Sequence, residues 1–248
     1  NPTGLAEVTA QANAHLWVSR LHDWLKALNP ADTVPDFLAP STANIGGACN
    51  AYFTFSGSIN FFRAGSLSGL SCVNMAYSSI VAHELGHWLN ERYSSGNGPG
   101  GIGEGLADTY GMYLLDNPIV GEDYCGAGCR MRTGLNSRQF CGDEPNGCYN
   151  NVHEDGEVLM GALWKVRARL KAKLGASAGA MTADALFSGW LNAYDDDYIG
   201  AFIEVHYLTL DDDDGNIANA TPNYLAIDGG FRDQGFPGVP ITQCNPNF

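Results

Sequence analysis

The chain has 248 residues, 45% of them hydrophobic, and 27 acidic against 13 basic side chains give it a formal net charge of −14. A chain of that size and apolar content can bury a substantial core, while the shortage of Lys and Arg argues against binding a phosphate backbone, so nucleic acid is not an expected partner. There is no run of 18 apolar residues to span a membrane, and the opening Asn1-Pro2-Thr3-Gly4 lacks a basic-then-apolar leader, so removal of a signal and propeptide, or trimming, is expected.

In chain order, Leu16, Trp17, Leu21, Trp24, Leu25 and Leu28 recur at helical spacing, and Asn29-Pro30 closes that segment. Residues 31 to 78 are rich in Pro, Gly, Ser and β-formers. Within them Ala51 to Phe55 and Ser58 to Phe62 flank Ser56-Gly57 and predict a small sheet. An apolar helix follows over Ser79 to Arg92. After the flexible run Ser94 to Gly101 comes a second helix, Gly103 to Leu115. Residues 116 to 151 have little periodicity and read as an irregular, cross-linked lobe, whose Arg130, Arg132 and Arg138 are either solvated or turned to a substrate carbonyl or carboxylate. Helices are predicted over Gly156 to Lys173, Thr182 to Asn192 and Tyr198 to Leu210, and another starts at Thr221-Pro222 with a capping hydroxyl and an N1 proline. The fold class is therefore α+β, with the sheet in the first part and mainly helices in the second.

Seven cysteines, at 49, 72, 125, 129, 141, 148 and 244, are heavy usage for a cytosolic enzyme and ordinary for an exported one, so a secreted or periplasmic location in an oxidising compartment is expected. Cys49 and Cys72 flank a hairpin-like stretch and are expected to pair. Cys125, Cys129, Cys141 and Cys148 crowd one Gly-rich loop and are expected to form two bridges in an undetermined order, which leaves Cys244 over. A structural zinc knuckle is the rival for these four, but close CxxC pairs are missing.

The most chemically specific stretch is His83-Glu84-Leu85-Gly86-His87. Two histidines four apart project from one helical face, neutral imidazoles suit zinc, and the glutamate between them is placed to act as general base on a water. The bland alternative is an amphipathic helix with half-buried histidines. Its neighbours Ile80, Val81, Ala82, Leu85, Trp88 and Leu89 are so apolar that an idle polar trio would be a costly inclusion. A third protein ligand is still needed, and Glu104 and Asp108, one helical turn apart on the next helix, are the candidates. The metzincin pattern is excluded, because Asn90 and Tyr93 stand where it requires glycine and histidine.

These motifs resemble the thermolysin and fungalysin superfamily, closest to the fungalysin side. The resemblance rests on Gln11 to Trp24, on Asn50-Ala51-Tyr52-Phe53, on Val81 to His87 with Gly103 to Asp108, and on Val152-His153-Glu154-Asp155-Gly156-Glu157-Val158, together spanning residues 11 to 158. It implies a thermolysin-like fold in one catalytic domain over 1–248, with a sheet-bearing part (1–92), a mainly helical part (93–248) and zinc in the cleft between. It also implies a glutamate-type ligand set of His83, His87 and Glu104, with Asp108 supporting a zinc-bound histidine and Glu84 as base. By the same resemblance His153 stabilises the oxyanion and Asn50 and Ala51 pair with substrate backbone; Ile80, one turn before His83, is expected to line the pocket for the side chain after the scissile bond and to favour an apolar one. The family orients that histidine with an aspartate five residues earlier. Here that position is Cys148, so Asp143, Asp155 or another group must substitute.

Asp211-Asp212-Asp213-Asp214-Gly215-Asn216 suggests a calcium site through Asp212 and Asp214, although Leu210 stands where an EF-hand would place its first ligand. Structural or helix-capping roles are equally open for this run. The Asp195 to Asp197 run reads as a helix start or solvated link, and His206 as a partly buried helix residue. The expected activity is that of a secreted, monomeric zinc endopeptidase acting on peptides or proteins. An exopeptidase of the same family and a silent zinc-containing binding protein are the alternatives.

Overall fold

The computed structural model describes residues 3–243, so Cys244 lies outside the described residues. The structure is α+β. It divides into two compact units: residues 1–94 with 106–133, and residues 95–105 with 134–248.

In the first unit, helix α1 (Thr3–Leu28) buries Leu21 and Leu25 completely, as its spacing predicts, and packs on β1 and on the helix that carries the His-Glu-His motif. Strands β1 (Ser41–Ile45), β2 (Ala51–Thr54) and β3 (Ser58–Phe62) form a sheet of order β1-β3-β2, parallel between β1 and β3 and antiparallel between β2 and β3. The two predicted strands around Ser56-Gly57 are thus a hairpin, with Tyr52 opposite Asn60 and Phe53 opposite Ile59. Gly57 sits at φ +88°, and a Cβ there would stand 2.7 Å from the Trp88 ring, so the turn needs glycine both for its backbone and for its approach to the next helix. A second hairpin, β4 (Gly65–Leu67) with β5 (Leu70–Cys72), leads into α2 (Ser78–Arg92). Cys49 and Cys72 are bridged, as expected.

Helix α3 (Ile102–Leu115) begins in the second unit and continues in the first. The segment after it is not wholly irregular: β6 (Ile119–Val120) pairs with β7 (Arg132–Thr133), and the loop between them is closed by Cys125–Cys129. Cys141 pairs with Cys148, so the four loop cysteines are spent as disulfides and the zinc-knuckle alternative falls.

The second unit is built on α4 (Val152–Leu174), α5 (Ala176–Ala193), α6 (Phe202–Asp211) and α7 (Tyr224–Arg232), with α4 packed on both α5 and α7. All four helix starts depart from expectation, α5 beginning at Ala176 rather than Thr182, and two of the departures have identifiable reasons. Helix α4 starts at Val152 rather than near Gly156, because the Asn151 side chain caps it by accepting the His153 N–H. Helix α6 starts at Phe202 rather than Tyr198. Helix α7 starts at Tyr224 rather than at Thr221-Pro222, since the Asn223 N–H that the Thr221 hydroxyl would have capped donates to Asp211 instead. Asp195 to Asp197 form a link, in which Asp196 accepts from both Trp190 Nε1 and His206 Nδ1. His206 is a partly buried α6 residue, as read from sequence.

Glu204 on α6 is fully buried. Burial first, then the neighbouring carboxyl of Asp228, push its pKa up to about 8, against a smaller opposing pull from Arg232. The folded chain therefore keeps a proton on Glu204 that the unfolded chain releases near pH 4.5, and stability falls as pH rises from there to about 8. Glu204→Gln should remove this dependence: urea melts should show equal stability to the parent near pH 4 and a gain of a few kcal/mol at pH 9.

Candidate metal centre

Helix α2 places His83, Glu84 and His87 within one turn, with one ligand atom from each lying within 4.8 Å of the others. His83 and Glu84 are buried, at 5% and 6% exposure, and His87 is half-buried. The Nε2 atoms of the two histidines face each other at 3.1 Å. Two imidazoles bound to one tetrahedral zinc at its usual bond length bring their nitrogens to about 3.3 Å, so this bite fits the ion.

His83 is oriented from behind. Its Nδ1 lies 2.7 Å from Asp108 Oδ1, and because an ionised carboxylate can only accept, Nδ1 carries the proton and Nε2 presents its lone pair. Asp108 is 1% exposed and is also gripped by Arg132, Nε to Oδ2 at 2.6 Å and Nη2 to Oδ1 at 2.8 Å. Burial alone would raise the Asp108 pKa. The Arg132 guanidinium and His83 outweigh it and hold the carboxyl well below the usual carboxylate range. Arg132 is delivered by β7, whose register on β6 pairs it with Val120. By sequence alone Arg132 is one with Arg130 and Arg138, solvated or facing substrate, whereas it is the ion partner of Asp108. Arg138, by contrast, binds Glu157 and Glu154 in the second unit.

The close approach of α2 and α3 depends on Gly86. A Cβ there would lie 2.7 Å from the Tyr110 ring and 2.9 Å from Ala107 Cα, distances that real side chains do not tolerate.

In the second unit, Glu104 lies in the first turn of α3, one turn before Asp108. His153, in the first turn of α4 and half-exposed, brings Nε2 to 3.5 Å from Glu104 Oε1. Gly156 makes this packing possible, since its missing Cβ would fall 2.7 Å from the Glu104 Cβ. Neither aspartate weighed as a substitute is spent on orienting the His153 ring. Asp155 is buried and accepts from the N–H groups of Cys148 and Tyr149, and Asp143 accepts from the N–H of Ala201. Glu104 is the nearby carboxylate instead.

Asn50 precedes β2, and its carbonyl accepts from the N–H of Phe62; Ala51 opens β2 opposite Phe61. Strand β2 pairs with β3 alone among the described strands, so its outer edge is a sheet edge. Ile80 is 3% exposed within α2, a core position of the first unit. Asp212, Asp213 and Asp214 cluster within 4.8 Å, yet both Asp214 oxygens already serve the local turn, accepting from Asn216 N–H and Asn219 Nδ2. The first carboxylate of that run, Asp211, ties down Thr221 and Asn223.

No known protein-family model matches this chain, and a search of curated proteins returns no match. No helix among the described residues is long and apolar enough to cross a membrane.

Two variants test the supporting contacts. Asp108→Asn should release the His83 ring from its charged acceptor, seen as a changed imidazole nitrogen shift by NMR, and should destabilise the protein by about 3–5 kcal/mol in urea unfolding because Arg132 loses its partner. Gly86→Ala should destabilise the protein by about 1–3 kcal/mol in urea unfolding, since α2 and α3 must separate to admit the methyl.

Proposed function

We propose that this chain is an exported zinc endopeptidase with a thermolysin-like fold, of the glutamate-ligand type and closest to fungalysin catalytic domains. The observation that carries the reading is the arrangement on α2: His83 fixed in its Nδ1–H form by Asp108, its Nε2 turned to that of His87, and Glu84 in the same cluster. A site built only for structure needs no carboxylate base and closes its fourth position with protein.

His83 and His87 would hold the ion, with Glu104 as third ligand. Support for Glu104 comes from its carboxylate and from its place one turn before Asp108 on a continuous helix. When bound, zinc would polarise the scissile carbonyl and lower the pKa of a bound water toward neutrality. Glu84 is placed to take a proton from an attacking water and to pass it to the leaving amine nitrogen, so that one carboxylate would serve both halves of the reaction. Asp108 keeps the His83 lone pair directed forward throughout, and the positive charge of Arg132 keeps Asp108 ionised. His153 supplies a hydrogen bond to the carbonyl oxygen as it gains negative charge, a role supported by its position beside Glu104. The β2 edge, with Asn50 and Ala51, would receive the peptide backbone as an added strand. The three disulfides fit an oxidising compartment outside the cytosol.

The test pairs metal content with cleavage of an internally quenched peptide library. The parent should bind one zinc and cut within the peptides, whereas Glu84→Gln should keep the metal and lose at least about a hundredfold in kcat. A parent that binds zinc and cleaves nothing would overturn the peptidase reading. Release of terminal residues alone would make it an exopeptidase.

A further inference from the structure

A row of aromatic rings leads away from the metal-binding face of α2 along the β2–β3 hairpin. The Phe53 ring lies 6.3 Å from the His87 ring at an interplanar angle of 27°, and Phe55 meets Phe53 edge-on at 5.5 Å. Phe53 also approaches Trp88 at 6.3 Å, and Trp88 packs against Phe37 at 4.6 Å, so the inner end of the row is anchored in the unit. These separations are those of ordinary attractive aromatic pairs.

The outer end differs from the inner. Phe55 is 80% exposed. It is not a loose residue on a slack loop, because the turn around it is stitched together. The Gly57 N–H donates to the Thr54 carbonyl at 2.8 Å, and the Thr54 hydroxyl bonds both Ser56 and Ser58 hydroxyls, at 3.1 and 2.8 Å. Gly57 in turn is pressed against Trp88. Hydrogen bonds thus cross-link the turn that carries this bare phenyl ring, two residues beyond a ring that faces a candidate zinc ligand. Side chains along a strand alternate between faces, so Phe53 shares the α2 side with Ala51, while Tyr52 turns the other way onto Phe62. An added peptide strand on the β2 edge would present alternate side chains with the same period of two.

We propose that Phe53 and Phe55 form an aromatic shelf extending from His87 along the β2 hairpin, and that this shelf receives an apolar, preferably aromatic, side chain of the peptide bound on β2. The inference rests on the peptidase reading and adds to it a substrate class and a specificity-determining residue, Phe55. A flat, open shelf contributes contact area without enclosing the side chain, so it grades substrates by apolar size rather than selecting one residue. Phe53 braces the shelf from beneath, and Phe55 makes the discriminating contact.

The test uses the full chain loaded with zinc, a peptide library varied at each position on both sides of the scissile bond, and the variants Phe55→Ala and Phe55→Leu. Because Phe55 is exposed, both variants should keep the parent's melting temperature and metal content. At one library position, kcat/KM for peptides bearing Phe or Leu should fall about tenfold in Phe55→Ala. Peptides with Ala at that position should be cut equally by all three proteins, and Phe55→Leu should keep most of the preference. If the Phe-to-Ala ratio at every position is the same in parent and Phe55→Ala to within a factor of two, the shelf is overturned while the peptidase reading stands. If the zinc-loaded parent cuts no member of the library, the peptidase reading falls and the shelf with it.

Discussion

A single buried carboxylate, that of Asp108, ties three pieces of the first unit together. It projects from α3, accepts from the ring of His83 on α2 and receives both guanidinium contacts of Arg132 from the β6–β7 ribbon. An ionised carboxylate with 1% exposure is tolerable only because two partners compensate for its lost hydration. That need for compensation fixes geometry: Arg132 cannot leave without stranding a charge, and His83 cannot rotate without giving up its acceptor. The orientation of a candidate zinc ligand is therefore set by the solvation requirement of a residue that would not touch the metal.

Much of this was legible in the sequence because the informative patterns are local. The period of Leu21 and Leu25 in α1, the Ser56-Gly57 hairpin signal and the four-residue spacing of His83 and His87 all follow from regular geometry within one element. The family resemblance, in which an aspartate follows the ligand glutamate by four residues, already makes Asp108 the partner of a histidine. Nothing does the same for Arg132. It reaches Asp108 from a two-residue strand across 24 positions of sequence, and no periodicity marks so short an element. The same limit hid the tasks of Asp155 and Asp211. Each is a carboxylate beside a helix end, where capping, turn-tying and metal binding all draw on the same residue types, and only the placement of nearby N–H groups and hydroxyls decides among them.

Two of the helix starts that departed from expectation share a cause, the capture of a backbone N–H by a side-chain acceptor. Asn151 captures the first turn of α4 with its own side chain, so the helix begins four residues before its apolar pattern does, and His153 moves from loop to helix. At Thr221 the N–H that its hydroxyl would have capped, that of Asn223, goes to Asp211, and α7 begins later. Where two acceptors compete for one N–H, the winner is set by tertiary placement, which a single sequence does not display.

The short bridge between Cys125 and Cys129 has a consequence out of proportion to the ring it closes. Closing so few residues removes little freedom from the unfolded chain, about 2 kcal/mol in the chain-entropy picture, against roughly 3.5 kcal/mol for a loop the size of that between Cys49 and Cys72. Its effect is local. The bridge pinches the excursion between β6 and β7, where Asp123 N–H bonds the Cys129 carbonyl and Gly128 N–H bonds the Asp123 side chain. Arg132 follows three residues after the pinch, so the bridge sets the phase of the returning strand as a detent sets a dial. Reduction of that one bridge would leave most of the molecule's cohesion in place while loosening the aim of the cation that keeps Asp108, and through it His83, in position.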